Sequence, residues 1–114
     1  DFLESMAASA QAVADYFGDR ILYINVMNKL SIDCDCDAHP HDPEMKDIGI
    51  LASLDPVALD QACLDLVYAV KPSAGDNSKP LIERIESRHG RHTVDYAEQI
   101  GLGTRKYELK KLES

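Results

Sequence analysis

A small α/β fold, with helices packed on a short layered sheet, is what the sequence predicts, and three observations lead to it. Apolar residues recur at helical spacing near the N-terminus and again after Asp55-Pro56. Two short runs, residues 20–30 and 48–53, are rich in branched and aromatic side chains of the strand-forming kind. Strand and helix signals alternate along the chain, the pattern of a sheet covered by helices. At 114 residues the chain has the length of one domain. It begins at Asp1 without an initiator Met or a basic-then-apolar leader, so residues 1–114 read as a single domain and as a fragment of a larger α/β protein.

The first helix is expected over residues 2–17, where Leu3, Met6, Ala7, Ala10, Val13, Ala14 and Phe17 fall on one face and Gly18 supplies the stop. The run 20–30 follows, and its near-continuous apolar start suits a strand buried on both faces. After a polar stretch, Ile48-Gly-Ile-Leu-Ala-Ser reads as a second strand. Asp55-Pro56 then starts a helix, with a carboxylate to cap it and Pro at its first position. That helix should reach about Val70 and place Cys63 in the core with Leu59, Leu66 and Val67.

Turn formers from Pro72 to Lys79 predict an exposed, mobile loop. Two short helices are expected at 80–89 and 93–100, separated by Gly90 and ended by Gly101 and Gly103. The last segment, 105–112, reads as an edge strand with Tyr107, Leu109 and Leu112 turned inward. Functional loops of such sheets commonly follow strand carboxyl ends, which predicts that the segment 33–47 and the turn 53–55 share one edge.

Composition narrows the function classes. A net charge of −8 disfavours nucleic acid, which is bound chiefly through Lys and Arg, and favours small cations. No apolar run approaches the roughly 20 residues of a membrane span. Three cysteines, two of them only two residues apart, predict reduced thiols and a cytoplasmic setting.

Chemistry concentrates in residues 31–47, Ser-Ile-Asp-Cys-Asp-Cys-Asp-Ala-His-Pro-His-Asp-Pro-Glu-Met-Lys-Asp. Cys34 and Cys36 offer two thiolates from a short extended segment, and His39 and His41 add two imidazoles, a donor set suited to a zinc or iron ion. Asp35 stands between the thiols as a further candidate metal ligand. The competing reading is a solvated acidic loop whose thiols are small packed hydrophobes. Acidic neighbours raise a thiol's pKa, so cysteine nucleophile chemistry without a cation ranks low. Asp55 has a sufficient role as a helix cap, and His89 and His92 sit in a small basic island with Arg88 and Arg91.

Three motifs carry a family resemblance: Asp33-Cys34-Asp35-Cys36; then Asp47-Ile48-Gly49-Ile50-Leu51-Ala52-Ser53-Leu54-Asp55-Pro56-Val57-Ala58-Leu59-Asp60; then Tyr96-Ala97-Glu98-Gln99-Ile100-Gly101-Leu102-Gly103. In this order they resemble the C-terminal part of the uncharacterised iron-sulfur centre proteins, domain of unknown function three-six-two, from the strand at Tyr23 onward. Members often carry a ferredoxin-like insertion with a Cys-x-x-Cys-x-x-Cys run, so the resemblance implies an iron-sulfur cluster, of the 4Fe-4S kind, in the full-length protein. It also implies Cys34 and Cys36 as cofactor ligands, and as partner the remainder of the parent chain or a ferredoxin-like domain. That run is absent from this chain, and the His39-Pro40-His41 element is outside the family pattern. Three functions are compatible with these residues: a metal- or iron-sulfur-associated redox domain, a non-enzymatic binding or scaffold domain, and a metal-dependent hydrolase using Asp33, Asp35 and Asp55.

Overall fold

A computed structural model describes residues 2–32 and 42–112. Within them the order is α1 (Phe2–Phe17), β1 (Tyr23–Met27), β2 (Gly49–Ser53), α2 (Pro56–Tyr68), α3 (Lys79–Ser87) and α4 (Arg91–Gln99). This is a small mixed α/β fold of four helices and a two-stranded antiparallel sheet.

Local chemistry explains where the helices stop and start. Gly18 takes a left-handed φ of 62° as its N–H donates to the Ala14 carbonyl, closing α1 where the sequence places the stop. Asp55 caps α2: its Oδ1 accepts from the backbone N–H groups of Val57 (2.9 Å) and Ala58 (3.1 Å), and Pro56 occupies the first turn. At the end of α4 the Leu102 N–H reaches back to the Ala97 carbonyl, with Gly101 at φ 86°. Between α3 and α4 the left-handed residue is His89, at φ 53°, while Gly90 donates to the Ile85 carbonyl.

Burial falls into two clusters on either side of α2. One joins Ala7 of α1, Val57 of α2, and Val94 and Ala97 of α4. The other joins Met27 at the end of β1, Met45 and Val67, with Leu81, Ile82 and Ile85 of α3 packed against it. Cys63 sits half-buried at the margin of this second cluster.

Four expectations change. The strands pair antiparallel, Tyr23 opposite Ser53 and Met27 opposite Gly49, so their carboxyl ends lie at opposite ends of the sheet. The segment after β1 and the turn at 53–55 therefore do not share an edge; four residues of strand, roughly 14 Å, separate their points of departure. Nor is β1 buried on both faces: Ile24, Val26 and Ile50 are 56%, 57% and 71% exposed. Among the described residues helices cover one face of the sheet only. Residues 105–112 form no strand, and Leu109 and Leu112 are exposed. Bonds from Thr104 and Arg105 to Asp55 and Glu98 fix the start of that segment, and Tyr107 reaches α2 rather than a ladder partner. Finally, the loop after Pro72 is exposed at residues 71–75 yet pinned, through a Ser73–Asp76 bridge and a bond from the Asn77 N–H to the Glu44 carbonyl.

Candidate functional site

The candidate ligands Cys34, Asp35, Cys36, His39 and His41 lie outside the described residues, as does Asp33. What the structure places is the stem on either side of them. On the β1 side, Ile48 donates its N–H to the Met27 carbonyl at 2.9 Å, extending the strand pairing by one bond. Lys29 then turns with a left-handed φ of 47°, and its N–H donates to Asp47 Oδ1 at 2.8 Å. On the returning side Met45 is 6% exposed, held between Met27 and Val67.

Two further bonds fasten the returning limb to the loop before α3. The Glu44 carbonyl accepts from the Asn77 N–H at 2.8 Å, and the Lys46 N–H donates to Asp76 Oδ1 at 2.9 Å. Asp47 and Asp76 thus spend carboxylate oxygens on backbone N–H groups, a role their place in an acidic, turn-rich sequence does not announce.

Other candidate side chains already have structural work. Asp55 uses Oδ1 on the α2 cap while Oδ2 accepts from the Thr104 N–H at 3.0 Å. Gly103 packs so closely on this carboxylate that a Cβ there would collide with Oδ1. His92 Nε2 lies 2.8 Å from Glu4 Oε2, tying α4 to α1, and His89 is an exposed helix end. Among the described residues no group of three His, Cys, Asp or Glu side chains could hold a metal ion.

Asn25 is the functional-looking residue that sequence reasoning passed over. Its amide donates from Nδ2 to Asp60 Oδ1 at 3.0 Å and to Cys63 Sγ at 3.3 Å. An amide in the middle of an otherwise apolar strand was the available signal. Burial pushes the Cys63 thiol up; the Asn25 bond pulls it down by less, and the Asp60 charge adds to the rise. Cys63 is thus a protonated thiol at neutral pH rather than a ready thiolate ligand.

Residues 1–65 match the family model described as Domain of unknown function (DUF362). The chain belongs to that family. The DUF362 match runs from the start of the chain into α2, so it includes α1 as well as Cys34, Cys36 and the 47–60 motif, and it ends before α3. The motif at 96–103 lies beyond the matched residues, yet its Gly103 lands on Asp55 within them. No curated protein and no solved structure matches the chain. No helix among the described residues is long and apolar enough to cross a membrane.

Proposed function

We propose that this DUF362 domain is a metal-associated module in which Cys34 and Cys36 supply thiolate ligands. The observation that carries the reading is the stem. The chain enters and leaves the Cys-x-Cys segment through limbs held by the Lys29–Asp47, Lys46–Asp76 and Asn77–Glu44 bonds and by the buried Met45. Limbs so held lower the ordering cost of a ligand-bearing segment between them. His39 and His41 complete a sulfur and nitrogen donor set in sequence, which suits a zinc or iron ion.

A four-cysteine iron-sulfur cluster does not fit this chain alone. A four-cysteine cluster needs four thiolates, whereas the sequence holds three cysteines and Cys63 is a high-pKa thiol engaged with Asn25. Redox or electron-transfer work through a four-cysteine cluster therefore requires ligands from the remainder of a parent chain or from a ferredoxin-like partner. Asp55 is occupied structurally rather than poised for hydrolysis, because both of its carboxylate oxygens accept backbone bonds.

Elemental analysis of the purified protein beside the Cys34→Ser/Cys36→Ser variant is the test. Zinc or iron bound near stoichiometrically by the first and lost from the second is the expected result. Equal metal in both overturns the ligand assignment and favours a scaffold role for the acidic segment. A His39→Ala/His41→Ala variant that keeps its metal confines the ligands to the thiols.

A further inference from the structure

A hollow in the described fold backs onto Met27 and Val67, the residues that hold Met45 of the cysteine pair's stem. It has a volume of about 470 Å³ and opens between α1, α2 and α4, with Leu3, Met6, Met27, Leu64, Val67 and Val94 among its walls. A neighbouring hollow of about 230 Å³ shares Met6, Asp60, Thr93 and Val94 with it. Asp60 is the one charged side chain among the described residues lining either hollow, and Thr93 adds a hydroxyl to both. The Asn25 amide holds the carboxylate from the sheet side through Oδ1. Small-molecule sites combine these features: a few hundred Å³ of apolar wall with one or two placed polar groups that fix orientation.

We infer that this groove binds a small amphiphilic amine, its apolar body against Met6, Met27 and Val94 and its ammonium group on Asp60. Charge decides between ligand classes. A fatty anion would set a carboxylate against Asp60 in a protein of net charge −8, whereas a cation gains a charge-assisted hydrogen bond beside an apolar wall. Size argues for a small molecule, since a hollow of this volume holds one amphiphile and is short for a docked helix.

Cys63 reports occupancy, because it is among the residues that line the larger hollow and is half-buried. Alkylation of Cys63 in the whole protein can be followed by peptide mass with octylamine or octanol present, each below its micelle concentration or solubility limit. Octylamine should slow alkylation saturably, and octanol, with the same chain and no charge, should need about tenfold more for equal protection. Asp60→Asn keeps an acceptor for Asn25 and should erase the difference between the two. Equal protection by amine and alcohol on the unaltered protein, or none from either, overturns the inference even if the variant fails to fold. Protection that grows with protein concentration alone would give the groove to a second copy and overturn it as well.

Discussion

Asp55 joins three parts of the chain through one carboxylate: the turn after β2, the first turn of α2 and the residues that follow α4. Replacing it with Ala removes a helix cap, worth about 1–2 kcal/mol, and leaves the Thr104 N–H without its acceptor. Gly103→Ala strikes the same contact from the other side, since the new Cβ runs into Oδ1, and should cost on the order of 1–3 kcal/mol. Both changes break one cluster, so the double variant should lose clearly less than the sum of the singles in denaturant unfolding. Additive losses would mean that the two residues act separately. The cap was legible in Asp55-Pro56, but its partnership with Gly103 was not, because no local rule pairs residues 48 positions apart in sequence.

Tyr107 shows a second long-range bond at this scale. Its hydroxyl donates to Asp65 Oδ2 at 2.5 Å, while Gln61 holds the other oxygen at 2.8 Å. That bond, followed by burial and the Asp65 charge, pushes the phenol up to about 12 from an ordinary value of 10. A folded-state pKa above the unfolded one means the native state keeps its proton longer as pH rises. Stability from this contact is fully present below pH 10 and is lost progressively toward pH 12. Tyr107→Phe should therefore flatten the fall in thermal stability between pH 10 and 12, and the phenolate absorbance of Tyr107 should appear late in that window.

At the scale of elements, the helices were legible because each carries its own period and punctuation. The first is found at Phe2–Phe17, over the same residues expected, and the others differ from expectation by one or two residues at most ends. Strand pairing was not legible, because a strand feeding a helix reads alike in parallel and antiparallel sheets. Here the antiparallel register puts the limbs that flank the cysteine segment at the Met27–Gly49 end, and Met45 and Ile48 of the returning limb pack with α3. The loop before α3, which composition marks as mobile, instead clamps the stem through Asp76 and Asn77. Asp76→Ala should release the Lys46 amide, and hydrogen exchange there should quicken by up to about tenfold, the equivalent of one net hydrogen bond. Exchange within α1 should not change, since α1 packs on α4 rather than on this loop. If the proposed metal depends on a held stem, the same variant should also lower metal content under competition with a chelator.

Across the whole molecule, the sheet face that no described helix covers is the feature that sequence reasoning came nearest to and misread. Continuous apolar character in β1 implied burial on both faces, and the residues are indeed apolar on both: Met27 inward, Ile24 and Val26 outward. Val26 lies opposite Ile50, and Ile24 opposite Ala52, so the outward side chains form one patch on a two-stranded sheet. Such a patch, together with exposed Leu22 and Leu54, promotes association, while a net charge of −8 opposes it. A charge-neutral pair of substitutions separates the two effects. Val26→Glu with Ile50→Lys leaves the net charge at −8 and sets opposite charges across the strands, a favourable cross-strand pair. If the patch governs association, sedimentation at rising concentration should show the variant staying monomeric where the unaltered chain self-associates. The melting temperature should hardly move, because exposed substitutions usually stay within about 0.5 kcal/mol. Identical sedimentation of the two proteins would mean that net charge alone keeps this face apart from its neighbours.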